Sequence, residues 1–145
     1  MKDPDKTHQL LKSNVGYLLN RSAQVLRDKL SEALKEVPFS FHEYVVLRLI
    51  ELELAETQQD VGRLSGIDRS SMVALLDGLE DRDLILRTRD PQDRRKHQLT
   101  MTPKGRKTLS HAKRIASRVH KEFLSPLTEE QWIVLQEALS KLIGV

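Results

Sequence analysis

A short polar run opens a stretch with helical periodicity in the middle of the chain. Residues 68–71 read Asp-Arg-Ser-Ser, and apolar side chains follow at helical spacing. Because aspartate is a good N-cap, we expect Arg69, Ser70 and Ser71 to lie in the first helical turn, where backbone N–H groups attract phosphate. An arginine fork also matches the two acceptors on a guanine edge. These residue types favour nucleic-acid contact, against the alternative that Arg69 only solvates the helix start.

Positive charge is concentrated in one segment that follows this helix. Residues 87–107 hold eight Lys and Arg against two Asp, a net charge of +6, whereas the whole chain carries +3. A single basic segment in an otherwise acidic chain is the footprint expected of a surface for a polyanion. A solvated basic loop would have the same composition, so charge alone leaves both interpretations open.

The basic segment has the pattern of a β-hairpin. Residues 84–89 and 97–101 resemble two short strands, and the polar stretch 90–95 between them contains a proline that favours a turn. An arginine on such a narrow loop can enter the minor groove of DNA, where the potential is most negative. We expect Asp93 to accept a hydrogen bond from Arg95 and orient it. The basic residues of this tip are Arg94, Arg95 and Lys96.

Helix-capping signals divide the rest of the chain into helices with short connections. The first helix is expected over about 6–35 and the second over about 40–54. Gly66 separates two short helices, because glycine adopts a positive φ at no steric cost. The helix starts are marked by side chains that can accept from backbone N–H groups, namely Ser40, Thr57, Asp68, Thr102 and Thr128.

The order of these elements predicts the fold. Two short helices joined by a glycine turn form a helix-turn-helix, and the basic hairpin that follows them is a wing. We therefore expect a mainly α protein with a small β-hairpin wing, a winged helix-turn-helix flanked by N- and C-terminal helices. In the two short helices, the side chains expected to face the core are Val61, Leu64, Met72, Val73, Leu75, Leu76 and Leu79.

The composition argues against other classes of protein. The chain has no cysteine, which excludes disulfides, thiol redox chemistry and cysteine-bound zinc. Its five histidines show no ligand spacing, so we expect no metal site and no cofactor. An enzyme is not expected, since there is no phosphate loop, nucleophile elbow or catalytic cluster. No apolar run approaches the roughly 20 residues of a membrane span and no signal peptide is recognisable, which fits a cytoplasmic protein.

Motifs along the whole chain point to one family. They are Thr-Gln-Gln-Asp-Val at 57–61, Gly-Ile-Asp-Arg-Ser-Ser at 66–71, Leu-Leu-Asp-Gly-Leu-Glu at 75–80, Asp-Pro-Gln-Asp-Arg-Arg at 90–95 and Met-Thr-Pro-Lys-Gly at 101–105. Together they closely resemble the MarR family of bacterial transcriptional regulators. The most specific of them is the wing pair of Asp93 and Arg95, placed ahead of a threonine-x-x-glycine helix start.

The resemblance implies a winged-helix homodimer, usually a repressor, that binds double-stranded DNA at a pseudopalindromic operator. It also implies one domain over 1–145, with about 1–36 and 103–145 as dimerisation helices and about 40–102 as the DNA-binding lobe. Asp93 and Arg95 match the wing pair of the family, and residues 69–71 match the start of its recognition helix. The residues that we expect to bind DNA are Thr57, Gln58, Arg69, Ser70, Ser71, Asp93, Arg94, Arg95 and Lys96.

Three positions depart from the usual pattern of the family. Members often have a basic residue at the first two of them and glycine at the third. The departures concern DNA affinity and operator sequence rather than architecture. They are Ala74, Gly78 and Asp83.

The C-terminal helix gives a separate reason to expect a dimer. It is rich in leucine, isoleucine and tryptophan, and a twofold interface would bury that face and place two recognition helices roughly 34–36 Å apart. Packing of the same residues within one subunit is the alternative. Members of the family often bind a small aromatic or anionic effector. Here Tyr17, His42 and Arg48 could border such a cleft, although each also suits a packing or surface role.

A winged helix can also serve contact between proteins instead of contact with DNA. That version of the fold should lack a basic wing, which this chain has. The salt dependence of binding separates the two, since phosphate neutralisation makes affinity fall steeply with salt.

Overall fold

The computed structural model of the chain describes Gln9, residues 11–89 and residues 97–144. It confirms a mainly helical fold with one antiparallel hairpin. Residues 11–13 are helical. The named elements that follow are α1 (Val15–Ala33), a 3-10 turn (Leu34–Glu36), α2 (Phe41–Glu51), α3 (Gln58–Ser65), α4 (Arg69–Asp81), β1 (Ile85–Arg89), β2 (His97–Met101), α5 (Pro103–Leu124) and α6 (Glu129–Ile143).

The chain divides into two compact units. One consists of Met1–Leu30 together with Ala116–Val145, and the other is Ser31–Ile115. The second unit holds α2, α3, α4 and both strands, which are the elements predicted to form the helix-turn-helix and its wing. None of the described helices combines the length and the hydrophobicity that a membrane-spanning helix needs.

The capping signals predicted from the sequence are confirmed at the helix starts. Ser40 and Glu43 form a complete capping box at α2, and Thr57 with Asp60 forms another at α3. Thr128 and Gln131 form a third at α6. Each box pairs two backbone N–H groups that the first helical turn leaves without partners, so local chemistry alone fixes where these helices begin.

Two helix boundaries differ from the prediction. The first helix is interrupted at Asn14, whose Oδ1 accepts from the N–H of Tyr17 at 2.8 Å and caps a new start at Val15. The second helix ends at Glu51 rather than near residue 54, because Glu53 adopts a left-handed φ of 55°. Both differences come from single residues that stop a helix without changing the apolar periodicity around them.

The core of the Ser31–Ile115 unit uses fewer residues of the two short helices than predicted. Met72, Leu76 and Leu79 are buried along one face of α4, as predicted. Val73 is 39% exposed and Leu64 is 45% exposed, so their placement in the core was wrong. Val73 lies about 100° around the helix from Met72. Leu64 lies in the last turn of α3, an eight-residue helix in which only Val61 is buried.

The wing is paired on both sides of β2. β1 and β2 are antiparallel, with Ile85 opposite Met101 and Arg89 opposite His97. On its other edge, β2 bonds to the segment that precedes α3. The N–H of Leu99 donates to the carbonyl of Glu56 at 2.8 Å, and an isolated bridge joins Thr57 and Gln98. This second pairing ties the base of the wing to the start of α3.

A close backbone contact joins the start of α5 to the start of the wing. Thr102 caps α5 by accepting from the N–H of Gly105 at 2.9 Å, and its hydroxyl donates to the carbonyl of Asp83 at 2.7 Å. A Cβ placed on Gly105 would lie 2.1 Å from the carbonyl oxygen of Leu84, nearer than any real Cβ contact. Glycine is therefore required at this position for steric reasons.

Gly105→Ala should lower the free energy of unfolding by about 2–3 kcal/mol, because the added methyl group forces two backbone segments apart. Gly62→Ala is the matched control, since nothing lies within 4 Å of a Cβ there and alanine favours a helix by up to about 1 kcal/mol. Urea unfolding followed by circular dichroism measures both. An unfolding midpoint for Gly105→Ala equal to that of the native chain would contradict the steric argument.

Candidate nucleic-acid interface

The turn between α3 and α4 brings the N-terminus of α4 to the surface. Gly66 takes the left-handed conformation with φ 68°, and its N–H donates to the carbonyl of Gly62 at 3.2 Å. Asp68 then caps α4, accepting from the N–H of Ser71 at 3.0 Å. Arg69 is exposed on the first turn. The helix end therefore presents both a side-chain cation and backbone N–H groups to a ligand.

An open groove of about 600 Å³ lies where α3, the start of α4 and the start of β2 meet. Thr57 and Gln58 line it from the start of α3, and Arg69 lines it from the first residue of α4. His97 lines it from β2. The structure thus brings three of the residues predicted to contact DNA around one concave surface, together with a histidine that the sequence analysis did not select.

The two serines of the first turn interact with the carboxylate that caps the helix. The Ser70 hydroxyl donates to Asp68 Oδ1 at 2.7 Å, and the N–H of Ser71 donates to the same oxygen. Hydrogen bonds from the Ser71 hydroxyl, its N–H and the Ser70 hydroxyl hold the pKa of Asp68 far below its usual range. The cap is therefore charged at neutral pH and weakens only as the pH falls through this low pKa. A serine must rotate away from Asp68 before it can donate to phosphate.

The two arginines of the groove have different electrostatic surroundings. Arg63 pairs with Asp60 at 3.4 Å. The hydrogen bonds from Thr57, and then that from Arg63, lower the pKa of Asp60. Arg69 makes no ion pair with any other residue that the structure describes. Among the described residues, the guanidinium of Arg63 therefore has a carboxylate partner and that of Arg69 has none.

Arg87 connects the wing to α4 and is not directed at a ligand. Its guanidinium lies 2.6 Å from Asp77 and 2.5 Å from Glu80, and its N–H also donates to Glu80 at 3.1 Å. The side-chain hydrogen bond between Arg87 and Glu80 is the largest cause of two pKa shifts, upward for Arg87 and downward for Glu80. This ion-pair cluster, which we call the Arg87 clamp, neutralises one of the charges counted in the basic segment.

Two more cations of the basic segment are committed to backbone carbonyls. Lys104 Nζ donates to the carbonyl of Arg82 at 2.8 Å, and Arg106 donates to the carbonyl of Met101 at 2.8 Å. Their charges help to end α4 and to hold the base of β2. The cations expected at the wing tip, and the acid expected to orient them, lie outside the described residues; they are Asp93, Arg94, Arg95 and Lys96.

Comparisons with known proteins agree with this geometry. The model of the MarR family matches residues 39–97. The HTH-type transcriptional regulator SarZ of Staphylococcus epidermidis is 27% identical over 133 residues, which cover 92% of this chain and 88% of SarZ. A MarR-family regulator from Rhodococcus sp. RHA1 superposes with a TM-score of 0.84 at 27% identity, covering 91% of this chain and 94% of that one.

A second structural relative has been solved with DNA. The transcriptional repressor CouR, bound to a 23-mer duplex, superposes with a TM-score of 0.82 at 32% identity and covers 92% of this chain and 94% of CouR. This chain belongs to the MarR family. It is a transcriptional regulator that binds DNA. CouR from Rhodococcus jostii RHA1 has also been solved with p-coumaroyl-CoA, at a TM-score of 0.79 and 28% identity over 91% of this chain and 93% of CouR.

The three departures from the MarR pattern have structural explanations of different strength. Asp83 takes the left-handed conformation with φ 57° that glycine would adopt more easily. At Gly78, the carbonyl accepts from Arg82 at 2.7 Å, and a Cβ would lie 3.8 Å from the Arg82 guanidinium. A long basic side chain there would meet that like charge. Ala74 is exposed on α4, and nothing in the structure explains its small size.

The residues suggested for an effector lie in both units. Tyr17 is exposed on α1, in the unit formed by the chain ends. His42 is exposed on α2, and its ring meets Phe41 edge to face with centroids 5.6 Å apart. Arg48 pairs with Glu51, which Lys113 of α5 also binds at 2.8 Å. Their role in binding an effector stays a prediction.

The structure adds two features that the sequence analysis missed. The Arg87 clamp has a recognisable signal, because Asp77 and Glu80 are three residues apart and so share one face of α4. The pairing of β2 with the segment before α3 has no such signal, since a single bridge leaves no alternation in the sequence. Both features fix where the wing stands relative to Arg69.

Arg87→Gln should lower the free energy of unfolding by about 1–2 kcal/mol, a value reduced for the partial exposure of the two carboxylates. It should also weaken duplex binding, because the wing loses its attachment to α4. Lys107→Gln removes the same charge from an exposed position on α5 and should leave stability nearly unchanged. Urea unfolding and fluorescence anisotropy measure the two effects. Equal stability of both variants would refute the clamp.

Proposed function

We propose that this MarR-family regulator is a homodimeric repressor that binds a pseudopalindromic operator and is released by a small aromatic or anionic ligand. In this proposal, the start of α4 enters the major groove and the wing tip enters the minor groove. Repression follows when the occupied operator overlaps a promoter.

The observation that carries the proposal is the groove that Arg69 shares with Thr57 and Gln58. A duplex edge is convex and anionic, and this surface is concave and carries a guanidinium that pairs with none of the described carboxylates, beside the N-terminus of a 13-residue helix. Gln58 at the start of α3 can donate to phosphate on one side while Arg69 bonds to a base. The Thr57 hydroxyl donates to Asp60 in the capping box and must rotate before it can join Gln58. The relative CouR, which is a repressor solved on a DNA duplex, supports the same assignment.

Exposed apolar side chains in the unit formed by the chain ends support a dimer. No residue of α6 is buried, although the helix is rich in leucine and isoleucine. Val134 is 66% exposed, Leu142 70% and Ile143 74%. Val15, Leu18 and Leu19 of α1 are also exposed. A second copy that covers these side chains would remove them from water. It would also supply a second α4 to contact the other half-site of the operator.

A small-molecule effector is proposed from the family and from one relative. CouR has been solved with p-coumaroyl-CoA, a ligand that is both aromatic and anionic. The candidates on this chain, Tyr17, His42 and Arg48, combine a ring, an imidazole and a cation, which suit a ligand of that class. Aromatic acids and their thioesters should therefore be screened for release of a bound duplex.

Arg69→Ala should relax base preference at one position in each half-site and cost about 1–3 kcal/mol of affinity for the preferred duplex, because a bidentate guanine contact is lost. Selection from a randomised duplex pool, followed by sequencing, compares the preferences of the native and variant proteins. A preference profile that stays the same would rule out base reading by Arg69.

Arg95→Ala should weaken binding at least tenfold, the equivalent of about 1.4 kcal/mol, while leaving thermal unfolding nearly unchanged, because the residue serves DNA rather than folding. The native protein should show log K falling with log salt at a slope of about −0.9 for each neutralised phosphate. A nearly flat salt dependence would favour a protein partner, and equal duplex affinity of the variant would exclude its minor-groove role.

Ile143→Glu should raise the dimer dissociation constant at least tenfold, on the order of 1.4 kcal/mol, since the twofold axis would bury two new charges. Leu54→Glu makes the same change on the Ser31–Ile115 unit, where Leu54 is 56% exposed, and should leave the dimer intact. Sedimentation equilibrium gives both constants. A native-like dimer for Ile143→Glu would place the interface elsewhere.

A further inference from the structure

We propose that His97 contacts the DNA duplex and takes up a proton when the duplex binds, so that affinity falls as the pH rises through the neutral range. The proposal deepens the assigned function and rests on the groove around Arg69 being the DNA interface. Its ligand is the sugar-phosphate backbone of the same duplex.

The position of His97 follows from the alternation of β2. His97, Leu99 and Met101 share one face of the strand, and the latter two are buried in the core. His97 is the outermost of the three and is half-exposed. Its side chain lines the same groove as Thr57 and Arg69. The imidazole therefore stands where the apolar core ends and the proposed DNA surface begins.

The backbone holds His97 there from two sides. Arg89 of β1 is its cross-strand partner, and the next residue, Gln98, forms the bridge to Thr57. Leu99 is fixed in turn by its hydrogen bond to Glu56. A residue held between two backbone neighbours loses little conformational entropy when a ligand arrives, which suits a direct contact.

The carboxylates around the groove are already committed to other partners. Asp60 of α3 is bound by Thr57 and Arg63, and Glu80 of α4 is bound by Arg87. Asp68, which caps α4, accepts from Ser70 and Ser71. An electrostatic interaction with His97 comes last among the causes that lower the pKa of Glu80, after the hydrogen bonds and charge of Arg87.

The remaining charged neighbours are exposed cations, or carboxylates that line a different cavity, as Glu56 does in the segment before α3. Arg69 of α4 and Arg89 of β1 are exposed cations. Glu51 of α2 lines a separate cavity of about 280 Å³, with Thr100 and Met101 of β2. Residues 90–96 add two acids and three bases to the adjoining sequence, outside the described residues. DNA phosphates would therefore be uncommitted anions within reach of the imidazole.

Proton uptake gives a signature that simple packing cannot give. By linkage, each proton bound together with the duplex changes log K by up to one for each pH unit, and a dimer has two such histidines. If His97 only fills the edge of the core, its replacement changes stability but leaves the pH dependence of binding as it is. The slope of affinity against pH therefore separates the two roles.

The experiment measures duplex affinity between about pH 6 and pH 8 at constant ionic strength. The probe is a labelled duplex of about 30 base pairs, long enough for two half-sites one turn apart and enriched from a random pool by the native protein. The native protein should lose at least about tenfold in affinity across this range. His97→Gln should bind with a nearly flat pH profile, and His97→Arg should also be flat but should retain strong binding at the upper pH.

His111→Gln is the matched control, because His111 is exposed on α5 in the same unit and does not line the groove. It should keep the native slope. A native slope in His97→Gln, or a flat profile in the native protein, would overturn the proposal while leaving the DNA-binding function intact. Failure of the native protein to enrich any duplex would instead refute the proposed function itself.

Discussion

The ion pairs between Arg87 and the carboxylates of Asp77 and Glu80 constrain the Ser31–Ile115 unit more than any other interaction, because they join the wing to α4, the helix that we propose reads DNA. Glu80 receives both the guanidinium and the N–H of Arg87, so the first wing strand is held by its backbone as well as by its side chain. A hairpin of two five-residue strands has little stability alone. Its position depends on this clamp, on the Glu56 pairing and on the contact between Gly105 and Leu84.

Much of the fold could be predicted from the sequence because its helix starts are determined locally. Ser40, Thr57 and Thr128 carry their capping partners three residues away, so the signal and the structure lie in the same turn. Helix ends were harder to predict. Glu53 ends α2 in a left-handed conformation that the residue types at this position do not predict. Burial was overestimated at Val73, because periodicity gives the apolar face of a helix but not its width.

The positions of some site residues could be predicted from the sequence, but their hydrogen bonds and orientations could not. The position of Arg69 in the first turn of α4 followed from the Asp68 cap. The hydrogen bond from the Ser70 hydroxyl to that same carboxylate could not be predicted, because a hydroxyl proton has several acceptors within reach. His97 was not predicted to be a site residue, because the sequence showed only that it lies in a basic hairpin. The face of the hairpin on which its side chain lies depends on which residues of β2 are buried in the core. The long-range partners of Arg87 and Glu56 required the tertiary structure.

In the proposed complex, the carboxylate of Asp68 would also affect how the regulator searches a genome. Its fixed negative charge would oppose the attraction that the N-terminus of α4 exerts on the phosphates of any duplex, whatever the sequence. A site that offers base-edge acceptors to the neighbouring guanidinium would offset that opposing charge. In the proposed complex the cap would therefore shorten each encounter with random sequence more than residence on the operator, so a feature that begins a helix would also raise selectivity.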